Sequence, residues 1–346
     1  MKSLVIKGLE RESKILIGER IHHLGKYMPP KNALIITDAN VQRHYDRFFG
    51  HRPTLDIGTG EKVKTLDTVR DIYQQLIELD ADRSTFIVGV GGGIVCDVAG
   101  FVASTFLRGV RFGFVPSTLL AQVDASVGGK NGVNFRGYKN IVGVFNQPEF
   151  VICDFKLLKT LPEKEIRCGL AEIVKHAAIA DADLFEYLEK NYARALELDG
   201  EVIEKLVYDS VVIKSFIVNQ DEKERAERAK LNFGHSFGHA FEKLNHTTHG
   251  EAIGVGMAVA SAFSVKKGLL SPADDRRIRA LLHNLRLPTR TQFNPEDVLD
   301  TIRKDKKRAG KNIKFVFLNR IGNAVVEEVS LKEMRKLVED LPDNEG

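Results

Sequence analysis

The stretch 85–97, TFIVGVGGGIVCD, decides the fold. Residues 85–90 form a short apolar run rich in β-branched and aromatic side chains. Such a run, bounded by glycine, reads as a strand buried on both faces, as in a parallel sheet. Three glycines follow, and a helical pattern covers 95–106. Strand, glycine turn and helix form the first part of a crossover unit. Backbone amides at such a turn, with a helix N-terminus behind them, favour a phosphate group. The spacing is not the G-x-G-x-x-G fingerprint. A turn kept tight for steric reasons therefore fits about as well. Asp97 is placed in the first helical turn, either complementing the helix dipole or touching the reactive end of a cofactor. Cys96 reads as a small core residue.

Working outward, residues 33–37 (ALIIT) form another buried strand, ending at Asp38. An acidic residue there takes a ribose hydroxyl or caps the next helix. Residues 3–7 and 14–17 read as a strand pair, 64–79 as a helix, and 112–115 and 150–153 as further strands. The segment 58–64, GTGEKVK, is either a second ligand-facing loop or a solvated turn. After Leu161-Pro162 the patterns become helical, at 163–179, 182–196, 200–219, 233–244, 250–267, 272–285, 295–304 and 330–340. One hairpin is expected at 313–318 and 324–328. The expected fold is α/β, with an N-terminal parallel-sheet domain over 1–160 and a mostly α-helical domain over 161–346. A ligand cleft is expected where the two meet.

Composition narrows the function classes. The chain has 346 residues, 43% hydrophobic and 28% charged, which is ordinary for a globular protein of two domains. A net charge of +4 with no long Lys/Arg block gives no case for nucleic acid. Three cysteines without CxxC spacing argue against a disulfide framework and for a reducing compartment. The N-terminal residues MKSLVIKGLERESK carry charges every few positions, so no signal core is expected. The apolar stretch 252–263 is shorter than the ~20 residues a bilayer span needs. A cytoplasmic protein is the expectation.

The second chemical signal is NFGHSFGHAFEKLNHTTHG, beginning at Asn232. His235 and His239 are four apart on a helix and share a face. His249 opens the next helix, and His246 lies in the loop between. Imidazoles on one face with a third nearby suit zinc, whose catalytic sites take three protein ligands. The pattern is not H-E-x-x-H, so a metalloprotease is excluded. No carboxylate ligand is identifiable from the spacing. Lys130, Lys139-Asn140, Lys175, Lys214, Arg228, Asn232 and Lys306-Lys307 are spread along the chain. They either converge on an anionic substrate or are solvated surface groups. Glu172 and Lys175, three apart, read as a helix pair.

At this point the sequence resembles the 3-dehydroquinate synthase family. The resemblance runs from about 33 to 318. It is carried by the stretch 91–133, GGGIVCDVAGFVASTFLRGVRFGFVPSTLLAQVDASVGGKNGV, and by GLAEIVKH at 169–176, LNFGHSFGHAFE at 231–242 and HGEAIGVGM at 249–257. The resemblance implies conversion of 3-deoxy-D-arabino-heptulosonate 7-phosphate to 3-dehydroquinate and phosphate. NAD is used and regenerated within each turnover; zinc is the implied metal, with cobalt as a substitute. It implies metal ligands Glu172, His235 and His249, which moves His239 to the substrate. For NAD it implies Asp38, Asn40, Glu61, Lys64, Gly92, Gly93, Ile94, Asp97, Ser117, Thr118, Leu120, Lys130, Lys139 and Thr160. For the substrate it implies Asp124, Lys130, Asn140, Lys175, Lys214, Arg228, Asn232, His239, Lys306 and Arg108. A Rossmann-like N-terminal domain, an α-helical metal-binding C-terminal domain and a homodimer are implied. From composition, no nucleic-acid or membrane partner is expected. Here Asn131-Gly132 stand where the family often has Thr-Ala. The alternatives are another sugar phosphate cyclase, a metal-dependent polyol dehydrogenase that releases reduced cofactor, and a non-enzymatic NAD-binding protein.

Overall fold

The computed structural model describes residues 1–8, 12–224, 226–245, 247–292, 294–306 and 312–339, with 303–306 described for their backbone only. The chain divides into two compact units, Met1–Pro162 with Ile203–Lys223, and Glu163–Val202 with Glu224–Gly346. Among the described residues no helix is long and apolar enough to cross a membrane.

The first unit contains β1 (Lys2–Lys7), β2 (Glu12–Ile17), β3 (Ala33–Thr37), α1 (Ala39–Tyr45), β4 (Thr54–Asp56), α2 (Leu66–Glu78), β5 (Phe86–Gly91), α3 (Gly93–Thr105), β6 (Arg111–Pro116), β7 (Lys130–Phe135), β8 (Tyr138–Phe145) and β9 (Phe150–Cys153). Its main sheet has the order β1-β2-β9-β6-β5-β3-β4. Every pairing is parallel except that of β1 with β2. All residues of β3, β5 and β9 are buried, which is why they read as unbroken apolar runs. Beyond β3 the chain turns towards β4, whereas beyond β5 it turns the other way, towards β6. This reversal opens a crevice at the carboxyl ends of β3 and β5, the usual ligand position in such sheets.

Three features depart from the sequence expectation. The helix after the glycine turn begins at Gly93, so Asp97 lies beyond its first turn. The short strand β4 was not expected. Nor was the β7–β8 hairpin, whose turn residues Arg136 and Gly137 both have positive φ, 48° and 79°. That conformation suits a two-residue hairpin loop. Most of β8 is exposed, so the hairpin shows no hydrophobic alternation by which to recognise it.

The second unit is built on α4 (Glu163–Ala180) and α5 (Ala182–Leu196). The helix α6 (Gly200–Gln220) begins in it, but residues from Ile203 group with the first unit. There Asn219 Oδ1 accepts from Lys7 N (3.1 Å), and Lys2 lies over the Tyr208 ring. A single boundary at residue 160 does not provide for that return. The second unit continues with α7 (His235–Asn245), α8 (His249–Lys266), α9 (Pro272–Asn284), α10 (Pro295–Lys306), β10 (Asn312–Arg320), β11 (Asn323–Ser330) and α11 (Leu331–Glu339). A capping box starts α8, with Thr248 and Glu251 each satisfying the other's backbone amide. Most of α8 is buried. It approaches α7 closely at Gly256, where a methyl group would collide with the carbonyl of Gly234 and lie 2.8 Å from the amide of Gly238. This approach sets the start of α7 beside α8.

Candidate functional site

In the first unit, the residues expected at a nucleotide gather at the carboxyl ends of the parallel strands. Asp38 follows β3, where its side chain accepts from the amides of Asn40 (2.9 Å) and Val41 (3.0 Å). The capping role is therefore realised by one carboxylate oxygen, Oδ1. Gly92 is the N-cap of α3, and Gly92, Gly93, Ile94 and Asp97 are only partly buried on a helix that is otherwise mostly buried. Their glycines have ordinary negative φ. Gly91 is explained by packing, because a side chain there would run into Val95. Ser117 follows β6 and donates its amide to Gly91 O (2.8 Å). Thr118 Oγ1 accepts from Ala121 N (3.1 Å), which places Leu120 in the same turn. Thr160, after β9, is bonded to the Tyr45 hydroxyl (2.7 Å).

A polar network joins these ends to the hairpin. The buried Lys64 ammonium pairs with Asp97 and donates to Asn140 Oδ1 (2.5 Å). Asn134 donates to Glu61 Oε1 (2.7 Å) and accepts from Asn140 N (2.9 Å). Burial pushes the Asp97 carboxyl above its ordinary range, and the Lys64 cation opposes that shift. Asp97 thus answers a lysine rather than the helix dipole. Asn134 was not singled out in the sequence, because its role depends on the hairpin. Lys130 begins β7, and Lys139 is exposed on β8. Lys214 on α6 donates to Asp124 Oδ1 and to Asp124 O, both at 2.5 Å, so these two candidates meet each other. Arg108 does not join the group within the chain. It follows α3 and precedes β6, at the amino ends of the strands, because α3 carries the chain back across the sheet.

In the second unit, three helices bring together Glu172 from α4, His235 from α7 and His249 from α8. One ligand atom of each lies within 4.8 Å of the others. Glu172 Oε1 is 3.5 Å from His235 Nε2 and 3.2 Å from His249 Nε2. Its other oxygen pairs with Lys175, and both side chains are buried. The spacing-based pair His235/His239 is not this trio. The His239 ring is 5.3 Å from that of His235 but is exposed, because α4 approaches α7 at its first residue.

The donor set fits a divalent cation. Burial, with Lys175 nearby, holds His235 well below the ordinary imidazole range, so it is neutral. His235 Nδ1 faces Phe233 O at 3.2 Å and must carry the proton, since a carbonyl only accepts. Its Nε2 lone pair then faces a carboxylate oxygen, an arrangement that suits a cation between them. One carboxylate and two imidazoles are ordinary ligands for zinc, and three protein ligands leave a position open. For His249, burial opposes charge, but bonding to Glu172 and Glu242 outweighs it and raises the group to about 9. Glu242 was not singled out in the sequence. Its position seven residues after His235, on the same helix face, is the signal that finds it.

Arg228 is buried, and Asn232 donates to Glu224 Oε1 (2.7 Å). His246 and Lys307 lie outside the described residues, as does the side chain of Lys306.

Comparison with known proteins places the chain. Residues 54–168 match the family description 3-dehydroquinate synthase N-terminal, and residues 169–308 match 3-dehydroquinate synthase C-terminal. A 3-dehydroquinate synthase of Dehalococcoides mccartyi is 41% identical over 348 residues, covering 96% of this chain and 97% of that one. Among solved structures, a 2-deoxy-scyllo-inosose synthase complexed with carbaglucose-6-phosphate, NAD+ and Co2+ is 26% identical. Its TM-score is 0.86, with 97% of this chain and 99% of that chain covered. A 2-epi-5-epi-valiolone synthase from Streptomyces hygroscopicus subsp. jinggangensis, with NAD+ and Zn2+ bound, is 25% identical. Its TM-score is 0.87, with 98% of each chain covered. On these matches the chain belongs to the 3-dehydroquinate synthase family.

Proposed function

We propose that this chain converts 3-deoxy-D-arabino-heptulosonate 7-phosphate to 3-dehydroquinate and phosphate. The sequence of steps is oxidation, phosphate elimination, reduction, ring opening and intramolecular aldol closure. The observation that carries the reading is the Glu172/His235/His249 trio, in a chain 41% identical over 96% of its length to a 3-dehydroquinate synthase. When bound, NAD supplies a reversible hydride acceptor, and zinc or cobalt supplies Lewis acidity.

The protein's own groups bind, orient and neutralise charge. The amides at Gly92, Gly93 and Ile94 lie at a helix N-terminus and suit the cofactor's phosphates. Asp38, Asn40, Ser117, Thr118, Leu120 and Thr160 surround the same strand ends and suit its sugars and adenine end. Lys64 holds Asp97 and Asn140 in one arrangement, with Glu61 tied in through Asn134. Glu172, His235 and His249 would hold the metal. Lys130, Lys139, Lys175, His239 and Lys306 suit the phosphate and hydroxyls of the substrate, with Asp124 orienting Lys214. Lys214, Arg228 and Asn232 suit a substrate carboxylate, which separates this reaction from cyclases whose sugar phosphates lack one. Positioning of this kind accounts for much of such catalysis.

The purified protein, given this substrate, catalytic NAD+ and zinc, is expected to release phosphate and form dehydroquinate without net NADH. Absence of phosphate release would overturn the reading, and NADH accumulating with a simple polyol would favour a dehydrogenase. His235→Ala is expected to lose both bound zinc and turnover, measured by metal analysis of the folded variant. The same reading makes the protein a dimer of two copies, supported by exposed apolar side chains, with Phe216 63% exposed and Tyr138 57%. A cytoplasmic location is supported by three free, buried cysteines.

A further inference from the structure

We propose that Glu242 is a positioning residue for the metal site, taking the Nδ1–H of His249 and so fixing which ring nitrogen faces Glu172. The inference rests on the reading of Glu172, His235 and His249 as metal ligands. His249 lies between two carboxylates. Its Nε2 is 3.2 Å from Glu172 Oε1, and its Nδ1 is 3.8 Å from Glu242 Oε2. The second distance is a charge-pair separation, longer than a hydrogen bond, with Glu242 the carboxylate that faces this nitrogen. Glu242 has 15% of its side chain exposed, so the pair is largely shielded from water.

The two imidazoles are treated alike. His235 has Phe233 O at its Nδ1 and Glu172 Oε1 at its Nε2. His249 has Glu242 at its Nδ1 and the same Glu172 oxygen at its Nε2. Each ring thus presents one nitrogen to an oxygen acceptor and the other to the shared carboxylate. A ligating imidazole must be neutral, with its lone pair towards the cation, and an acceptor on the far nitrogen fixes that tautomer. A carboxylate there also makes the ligating nitrogen more basic. One helix, α7, therefore supplies one ligand and the orienting group of the other, seven residues apart on one face.

The test uses the full chain, stripped of metal and titrated with zinc and with cobalt as a visible probe. Glu242→Ala is expected to weaken metal binding by ~10–100-fold, with Glu242→Gln, which keeps an acceptor but no charge, falling between. The Nδ1–H resonance of His249 in the zinc-loaded protein should be lost or shifted in Glu242→Ala. Glu251→Gln is the structural control, because it loosens the cap of α8 near His249 without contacting either ring. It should leave metal affinity near that of the parent. Wild-type affinity, cobalt spectrum and Nδ1–H resonance in both Glu242 variants would overturn the proposal while leaving the trio intact. Failure of the parent chain to bind zinc or cobalt would overturn the trio itself, and the proposal with it.

Discussion

Glu19 accepts from the Tyr27 hydroxyl, from His23 Nδ1 (2.7 Å) and from the Arg20 amide (2.8 Å). Burial alone would raise its carboxyl, but these donors outweigh burial and hold it at about 2, against an ordinary 4.5. A carboxyl with a depressed folded pKa stabilises the fold above its unfolded value, and that contribution fades as pH falls towards the folded one. Glu19→Gln is therefore expected to unfold more easily than the parent at pH 7. The gap should narrow between pH 4.5 and 2, as read by urea midpoints at several pH values. A gap independent of pH would contradict this account. None of its residues is among the candidate site residues. At the same scale, the sequence supplies the identity of Lys64, Asp97 and Asn140 but not their mutual pairing, because they are 33 and 76 residues apart along the chain.

Between elements, α3 meets the start of β7 through Gly100. A methyl at Gly100 would collide with the Asn131 carboxamide. That group cannot swing away freely, because it donates to Gly129 O (3.0 Å) and Asn146 O (2.9 Å). Gly100→Ala is expected to destabilise the protein by about 1–3 kcal/mol through overpacking. Asn131→Ala removes the obstacle as well as the two bonds, so the double variant should be less destabilised than the sum of the singles, with a coupling of ~0.5–3 kcal/mol. Additive unfolding free energies would rule out this contact. The buried strands β3, β5 and β9 and the long helices were legible from the sequence, because burial on both faces leaves an unbroken apolar run and burial on one stripe leaves a periodic mark. The exposed β8 left none.

For the whole molecule, light scattering is expected to give twice the 38.7 kDa chain mass. A single-chain mass at working concentration would refute the proposed dimer. The return of residues 203–223 to the first unit also belongs to this scale. It puts Lys214 beside Asp124, a pairing 90 residues long in sequence. The order of patterns along the chain suggested one boundary, because pattern records local burial and not which partner buries it.

By itself the sequence determined the class of the fold, the strand–glycine–helix turn and, through its long motifs, the family. Hydrophobic runs and helical spacing are local, so they survive in one dimension. The resemblance already implied Glu172 with His235 and His249; only the tertiary structure shows both histidines facing one oxygen of that carboxylate. Spacing put His235 with His239 because they lie one helical turn apart. The fold instead brings Glu172 and His249 to His235 from α4 and α8. The physical reason is that a metal-type donor set is a convergence of separate elements, and only packing fixes where such elements cross. Asp97 tells the same story: the glycine turn placed it near a helix start, and the packing of the 61–65 loop gave it Lys64.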